Sequence, residues 1–304
     1  MTPISHIAVI GAGLMGHGIA QVFAEAGHTV TVYDPVAASL ANLHSRISAN
    51  LIDLGREATT AAEITSRVTA APVLADAVRA ADYVVEAALE DLPLKQRLFA
   101  EIEQFVRPDA ILASNTSVIP ITDIMRDLRL RERAVGTHWW NPPFLVPLVE
   151  VIGTQWTAPD VITRTLDLHN KAGKTAVHVR RDVPGFIGNR LQHALWREAI
   201  SLVEHGICDA ETVDTVIKAS FGRRLAVLGP IENADLVGTD LTLAIHRTIL
   251  PAIDSTPGPS PLLEKLVAEG QLGMKSGQGF RAWTPEQQSD LRRRVFDHLK
   301  KGGA

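Results

Sequence analysis

A glycine-rich loop near the start of the chain constrains the fold more than any other feature. The segment GAGLMG, from Gly11 to Gly16, follows a short β-branched run and precedes a helical pattern, and a second strand pattern ends at Asp34. In such a strand-loop-helix-strand unit, the glycines permit a tight turn, close approach of a ligand to the backbone, and close packing of helix on strand. The segment therefore predicts a parallel sheet with an anion-binding loop.

The residues around this loop indicate which ligand it binds. Asp34 ends the second predicted strand, where a carboxylate accepts hydrogen bonds from the ribose hydroxyls of a dinucleotide. The alternative is that Asp34 is a turn or N-cap residue before a helix that begins near Val36, a role compatible with ribose binding. The first basic residue after it is Arg46, so a 2'-phosphate would meet no nearby cation, and NAD is favoured over NADP. The predicted NAD contacts in this region are Gly11, Gly13, Leu14, Met15, Gly16 and Asp34.

Strand and helix patterns alternate over the first 180 residues or so. Predicted strands cover residues 6–10, 29–34, 83–86, 111–114, 134–138, 148–152 and 175–179, and predicted helices between them cover residues 36–54, 95–105 and 158–171. This alternation predicts an α/β fold, a Rossmann-like doubly wound and mainly parallel sheet.

The remaining chain has a helical pattern. Predicted helices cover residues 186–204, 210–219, 240–253 and 261–269, and a charged helix follows Pro285. We therefore predict two domains: an NAD-binding Rossmann-like domain over residues 1–182 and an all-helical C-terminal domain over residues 183–304.

Composition narrows the range of partners. A chain of 304 residues with 46% hydrophobic content can bury the cores of two domains. Its net charge of -4 contains no long run of either sign, which argues against nucleic acid and an anionic membrane surface. No stretch predicts a transmembrane helix. The single cysteine, Cys208, excludes an intrachain disulfide and a cysteine-based metal cage, so we expect no metal and a cytoplasmic location.

One of the eleven histidines stands out as a catalytic base. His138 ends a predicted strand in HWWNPPFLVPLVEV, and ligand crevices open at the carboxyl ends of parallel strands. The other histidines are expected at surface or helical positions. Glu150 lies in the apolar end of the same segment and needs a compensating partner if buried. A carboxylate on one imidazole nitrogen fixes the tautomer of a general base. The alternative is an exposed glutamate on an edge strand.

A polar cluster, Ser114 to Ser117, follows another predicted strand. Its side chains can bind a substrate oxygen or the nicotinamide carboxamide, with Asn115 and Ser117 as the predicted contacts. The alternative is that one of the four caps a helix near Thr122.

Taken together, GAGLMG, ASNTS, HWWNPP with VPLVEV, DVPGFIGNRL and LGMKSGQGF resemble the L-3-hydroxyacyl-CoA dehydrogenase family over nearly the whole chain. The resemblance implies a Rossmann-like domain followed by a helical domain that forms homodimers. It also implies a general base, His138, an orienting acid, Glu150, and a serine, Ser117, that binds the substrate oxygen. The remaining implied site residues are Asn141 and Asn189, and the implied cofactor contacts are Asp34, Glu90, Lys95, Ser117 and Lys275.

The substrate expectation covers both thioesters and free acids, because the chain departs from relatives that act on CoA thioesters. Those relatives present a lysine from the helical segment after the second strand, whereas residues 36–66 contain only Arg46 and Arg56 as basic residues. The NPP motif followed by VPLVE resembles free-acid branches such as L-gulonate dehydrogenase (lambda-crystallin) and pyridine-carboxylate dehydrogenase. Trp139 and Trp140 stand where many relatives have smaller aromatics or other residues. One tryptophan is expected to be core, since strand neighbours point in opposite directions.

The family resemblance predicts an NAD-dependent oxidoreductase that oxidises a 3-hydroxyacyl-CoA, as in fatty acid metabolism, or a related free hydroxy acid. Two other interpretations stay open. The chain is a non-catalytic, crystallin-like NAD-binding protein, or it is a hydroxyacid dehydrogenase in which Lys171 or Lys174 is catalytic and His138 is dispensable.

Overall fold

The computed structural model describes residues 4–302 and contains one eight-stranded sheet. The strands are β1 (His6–Ile10), β2 (Thr29–Tyr33), β3 (Val68–Ala71), β4 (Tyr83–Glu86), β5 (Ile111–Ser114), β6 (Ala134–Trp139), β7 (Leu148–Gly153) and β8 (Thr175–Val179). The helices among them are α1 (Gly16–Glu25), α2 (Ala37–Ala41), α3 (Leu43–Asp53), α4 (Ala58–Ser66), α5 (Leu74–Val78), α6 (Leu92–Phe105), α7 (Ile121–Met125) and α8 (Pro159–Lys171).

The strand order, β3-β2-β1-β4-β5-β6-β7-β8, places the glycine loop at the point where the order reverses. All neighbouring strands are parallel except β6 and β7. In open α/β sheets, ligands bind where the order reverses, at the carboxyl ends of the strands. The predicted Rossmann-like, mainly parallel sheet is therefore confirmed.

Strand residues of alternating direction fill two cores, one on each face of the sheet. In β1, Ile7 and Val9 belong to one buried cluster, and Ala8 and Ile10 belong to the other. Two local predictions were wrong. The short strand β3 was not predicted, and the expected single helix over residues 36–54 is divided at Asn42 into α2 and α3.

Contacts divide the chain into two units. The first holds the sheet and comprises the residues up to Arg190 together with those from Phe296 onward, and the second covers residues 191–295. The helices with most of their residues in the second unit are α9 (Gly188–Glu204), α10 (Ala210–Ala219), α11 (Pro230–Val237), α12 (Thr239–Ile249), α13 (Pro261–Ala268) and α14 (Pro285–Gly302). Side chains cap two of them, Asp209 at α10 and Ser260 at α13.

The predicted helix over residues 210–219 is confirmed with the same bounds, whereas α11 was not predicted. In the part of the chain that the structure describes, no helix is both long and apolar enough to cross a membrane.

Candidate active site

His138 and Glu150 form a buried pair because β6 and β7 lie side by side in an antiparallel register that places the two residues opposite each other. His138 Nδ1 lies 2.8 Å from Glu150 Oε2, and the residues are 4% and 1% exposed. The other carboxylate oxygen, Oε1, accepts backbone N–H bonds from Ile187 at 2.9 Å and Gly188 at 3.0 Å. The alternative of an exposed edge glutamate is wrong, because β7 lies between β6 and β8.

This arrangement determines which imidazole nitrogen carries the proton. Burial alone raises the pKa of Glu150, but hydrogen bonds from His138, Gly188 and Ile187 together hold that pKa below its usual value. An ionised carboxylate only accepts hydrogen bonds, so Nδ1 of His138 is the donor. Nε2 then carries the lone pair, as a general base requires.

The two tryptophans after His138 have different environments. Trp139 is 2% exposed and packs in the core against Phe23, with ring centroids 5.5 Å apart, which confirms that one of the pair is a core residue. Trp140 lies against His138 instead, with the two ring centroids 5.2 Å apart. A Cβ on Gly188 would stand 2.5 Å from Trp140 Cζ2, so glycine at this position makes room for the indole.

Two of the predicted substrate contacts meet beside the dyad. Asn189 is buried, and its Nδ2 donates to the backbone oxygen of Ser117 at 2.8 Å. Ser117 is exposed, and its backbone N–H donates to Glu90 at 2.9 Å. Asn141 is exposed in the loop after β6, and no hydrogen bond of its side chain is present within residues 4–302. The geometry therefore joins Ser117 with Asn189 and leaves Asn141 outside this network.

Two carboxylates and a lysine form a charge network beneath the Ser117 loop, in which Lys95 and Glu86 are buried and Glu90 is exposed. Lys95, which is 1% exposed, donates from Nζ to Glu86 Oε1 at 2.6 Å and lies 3.4 Å from Glu90 Oε2. Glu90 also accepts from Thr116 Oγ1 at 2.5 Å. Burial raises the pKa of Glu90, but Thr116, Lys95 and two backbone amides outweigh it and lower that pKa. The network fixes the backbone that presents Ser117.

Sequence reasoning missed Glu86, although the signal was present. Like Glu150, it is a lone carboxylate in an apolar strand, and it is fully buried at the end of β4. Its Oε2 accepts from Ser114 Oγ at 2.6 Å. Asn115, which follows, accepts the backbone N–H of Trp139 at 2.9 Å. Neighbouring strand ends are thus tied together where the ligand crevice of such a sheet opens.

The glycine loop fits a dinucleotide. A Cβ on Gly16 would lie 1.7 Å from the oxygen of Gly11, and a Cβ on Gly11, whose φ is +109°, would lie 2.6 Å from the oxygen of Ala87. Gly13 has no neighbour within 4 Å of its Cβ position, so its backbone is open to an approaching pyrophosphate. Leu14 and Met15 complete the turn before α1. These residues can hold NAD.

Asp34 and Arg46 both contact the loop backbone. Asp34 Oδ2 accepts from Ala12 N at 2.7 Å, and Oδ1 accepts from Val36 N at 2.8 Å, so the carboxylate forms a turn after β2. It does not cap α2, whose N-cap residue is Val36 and which has no side-chain cap. Arg46 Nη1 donates to Ala12 O at 2.8 Å, and Nη2 lies 2.8 Å from His17 Nδ1. Each carboxylate oxygen keeps a lone pair for a ribose hydroxyl.

The helix-capping role considered for residues 114–117 is wrong. None of the residues from Ser114 to Ser117 caps α7, because Thr122 N donates to Asp182 at 2.6 Å instead. His17 and His169 lie on helices, as expected, and both are buried. Burial lowers the pKa of His169 to about 4, while its Nδ1 donates to Thr165 O at 2.7 Å, which keeps the ring neutral inside the core.

Lys275 belongs to the second unit. There it lines an apolar pocket of about 580 Å³ with Trp196, Leu266 and Phe280. Its predicted contact with the cofactor stays a prediction. Among residues 4–302, no group of three or more His, Cys, Asp or Glu side chains is arranged to hold a metal ion.

The Rossmann-like sheet, the open glycine loop and a histidine-glutamate pair at the strand ends define an NAD-dependent oxidoreductase. Comparison with known families agrees. The model of the 3-hydroxyacyl-CoA dehydrogenase NAD binding domain matches residues 6–183, and that of the 3-hydroxyacyl-CoA dehydrogenase C-terminal domain matches residues 185–283. The chain belongs to the 3-hydroxyacyl-CoA dehydrogenase family.

Relatives within the family act on different substrates by name. The 5-formyl-3-hydroxy-2-methylpyridine 4-carboxylate 5-dehydrogenase of Mesorhizobium japonicum is 36% identical over 291 residues, which cover 95% of this chain and 94% of that protein. A probable 3-hydroxybutyryl-CoA dehydrogenase of Bacillus subtilis is 38% identical over 282 residues, covering 91% and 96%. The crystal structure of a 5-formyl-3-hydroxy-2-methylpyridine 4-carboxylic acid 5-dehydrogenase, an NAD+ dependent dismutase, matches with a TM-score of 0.90 and 34% identity over 98% of this chain and 97% of that one.

Proposed function

We propose that the protein reversibly oxidises a hydroxyl group of a small free carboxylic acid with NAD, and that His138 is the general base. The observation that carries this proposal is the His138–Glu150 pair, in which the 2.8 Å bond to Nδ1 leaves Nε2 as the proton acceptor. Glu150 also stabilises the imidazolium that forms when His138 takes the hydroxyl proton. Bound NAD supplies the hydride acceptor.

The remaining site residues hold the substrate and cofactor in this proposal. Ser117 presents its exposed hydroxyl to the substrate oxygen, and Asn189 fixes the Ser117 backbone through its 2.8 Å bond. Glu90 and Lys95 support the same loop from below, at the nicotinamide end, together with Asn115. Asp34 binds the adenosine ribose beside the glycine loop. Asn141, which is exposed in the loop after β6, contacts the substrate in this proposal.

The charges available after β2 favour a free acid over a CoA thioester. Arg46 is bonded to the glycine-loop carbonyls, Arg56 pairs with Glu25 at 2.7 Å, and Arg67 pairs with Glu63 at 2.6 Å. A CoA tail carries several phosphate charges, and these arginines already have partners. The name of the Mesorhizobium japonicum relative, a pyridine carboxylate dehydrogenase, agrees with this substrate class.

An initial-rate assay of NADH consumption tests the substrate class. Acetoacetyl-CoA is compared with a panel of free aliphatic and aromatic oxo acids at equal concentration, and NADH formation is followed with the corresponding hydroxy acids. We expect kcat/KM for at least one free acid to exceed that for the thioester by about a hundredfold or more, because the uncompensated phosphates weaken CoA binding. A higher kcat/KM for acetoacetyl-CoA would contradict the free-acid proposal.

The same assay with a histidine variant tests the base. His138→Asn is compared with His298→Asn, which changes an exposed histidine in α14. We expect kcat to fall by about 10²–10⁴-fold in the first variant only, the contribution typical of a positioned general base. Equal activity in the two variants would refute the role of His138. It would then favour the interpretation in which Lys171 or Lys174 is catalytic.

We also propose that the second unit forms a homodimer. None of the fully buried hydrophobic side chains lies within residues 191–295, whereas Val227, Ile231 and Leu236 are 86%, 75% and 72% exposed. Apolar surface of this extent favours association. Light scattering after gel filtration should give twice the chain mass of 32.9 kDa, and an Ile231→Lys exchange should shift it towards the monomer. A monomer at micromolar concentration would refute this proposal.

A further inference from the structure

A lysine behind the catalytic strand holds the loop that joins β6 to β7. Lys174, between α8 and β8, is half-buried. Its Nζ donates to the backbone oxygen of Pro143 and, at 2.9 Å, to that of Val146. The loop of residues 140–147 connects the strand that carries His138 with the strand that carries its partner carboxylate. One ammonium group thus restrains the connection between the two members of the dyad.

The same loop is packed against the helix that follows the glycine loop. A Cβ on Gly18 of α1 would stand 3.0 Å from Pro143 Cδ and 3.3 Å from Phe144 Cδ1, so the absence of a side chain admits the loop. Lys174 Nζ also lies 5.3 Å from the ring centroid of Trp139, a cation–π distance. The ammonium therefore contacts both the loop and the residue that follows His138.

Few charged groups face Lys174, so the contacts described above are the main compensation for the cost of burying its ammonium group. Within residues 4–302, no carboxylate oxygen lies within 4 Å of Nζ. The charged or titratable groups that face it are Glu25 of α1, already paired with Arg56 at 2.7 Å, and the neutral ring of His169 in α8. Burial lowers the pKa of Lys174 to about 8, with Glu25 opposing the change.

We infer that Lys174 is a positioning residue, which ties the loop of residues 140–147 to the protein and so keeps His138 aligned with Glu150. The kinetic consequence rests on the proposed function, whereas the restraint of the loop does not. Lys174 acts through backbone oxygens of this loop and not through substrate. This differs from the interpretation in which it is the catalytic lysine.

The restraint is stronger when the amine is protonated. Charge-assisted hydrogen bonds are roughly twice as strong as neutral ones, and the cation–π attraction needs the charge. A neutral amine keeps two N–H donors, so loss of the proton weakens the restraint without abolishing it. Replacing Lys174 by methionine removes both donors but also removes the cost of burying an ammonium without a carboxylate partner. We therefore expect the loop to loosen with little loss of global stability.

Hydrogen–deuterium exchange on the full chain measures this directly. The reporters are the amides of Leu145 and Val146, which both donate to Pro142 O at 3.0 Å. Lys174→Met is compared with Lys174→Arg, which keeps the charge, and with Lys171→Met, which changes the exposed lysine at the end of α8. At pH 7, protection of these amides should fall about tenfold or more in Lys174→Met alone.

A pH series separates restraint by charge from simple filling of space. At about pH 9.5, above the pKa of Lys174, protection corrected for intrinsic exchange should fall severalfold in the wild type and stay constant in Lys174→Arg. If Lys174→Met fails to fold, the comparison of the wild type with Lys174→Arg over pH tests the inference by itself. Wild-type protection in a folded Lys174→Met, or identical pH dependence in the wild type and Lys174→Arg, would overturn the inference.

Kinetics then connect the loop to the site. With a free-acid substrate, kcat/KM should fall about tenfold to a hundredfold in Lys174→Met with an unchanged KM for NAD, and Lys174→Arg should restore it. An unchanged kcat/KM beside a loosened loop would overturn the positioning role. Complete inactivity of the wild type towards every substrate, with the exchange results as expected, would instead refute the proposed function and leave the loop restraint supported.

Discussion

Replacing Glu150 by glutamine tests the orienting carboxylate with little change in shape. Glu150 Oε1 receives backbone N–H bonds from Ile187 and Gly188, so only the amide oxygen of a glutamine can occupy that position. The amide NH2 group then faces His138 Nδ1, which lies 2.8 Å from the present Oε2. Nδ1 must accept a hydrogen bond, and the imidazole proton moves to Nε2. The variant should therefore hold the inactive tautomer.

The expected loss follows from that tautomer. Fixing the wrong tautomer of a catalytic histidine lowers kcat by about 10³–10⁴-fold, equivalent to roughly 4–5.5 kcal/mol of transition-state stabilisation. Initial rates of NADH formation at saturating NAD measure kcat, and fluorescence titration measures NAD binding, which should not change. Glu101→Gln on the exposed face of α6 is the matched control. A kcat for Glu150→Gln within about fivefold of the control would refute the reasoning.

Three further exchanges test the cofactor loop and the fold. Gly13→Ala adds a Cβ that has no protein neighbour within 4 Å, so the melting temperature should not change. Calorimetry should show about tenfold weaker NAD binding, because the added Cβ stands where the pyrophosphate approaches the backbone. Unchanged affinity would contradict an approach of NAD to this backbone. Asp34→Asn should raise the KM for NAD about tenfold and leave kcat unchanged, because a charge-assisted hydrogen bond to the ribose becomes a neutral one. Equal KM values for NAD in the variant and the wild type would argue against that contact. Glu103 is buried beside Arg133, and although burial raises the pKa of Glu103, its hydrogen bonds hold it below 4.5. The contribution of Glu103 to stability is present above pH 4.5 and is lost as the pH falls through its lower folded pKa. Urea unfolding should therefore show that Glu103→Gln lowers the free energy of unfolding by about 1–3 kcal/mol at pH 7, and by less in acid. A loss of unfolding free energy that does not depend on pH would contradict this.

Local sequence patterns predicted the features that arise from neighbouring residues. Seven of the eight strands were predicted from short apolar runs. The pairing of His138 with Glu150 follows from two adjacent strands joined by one loop. The apolar pattern did not predict the strand β3, which forms because of tertiary packing. The strand β3 is only four residues long, and the polar Thr69 interrupts its apolar pattern, so periodicity over a longer window does not detect it.

Contacts between distant segments were beyond the reach of the sequence. The sequence predicted no cation near Asp34 for a 2'-phosphate, yet the side chain of Arg46 spans from α3 to the oxygen of Ala12, whose amide binds Asp34. Lys174 was considered as a catalytic candidate, but its ammonium binds the carbonyls of a loop about 30 residues earlier in the chain. Asn141 is exposed in the loop after β6, and its part in the site stays a prediction. Sequence order gives no distance for such pairs before the sheet is assembled.

The proposed mechanism depends on the proton of His138 being on Nδ1. Two-dimensional NMR of the chain with 15N-labelled histidine reports the tautomer of each ring without any substrate, and the His138→Asn spectrum assigns the signal. We predict that, at a pH where the ring is neutral, Nδ1 carries the proton and Nε2 does not, and that Glu150→Gln reverses this pattern. A proton on Nε2 of neutral His138 in the wild type would contradict the assignment of this residue as the general base.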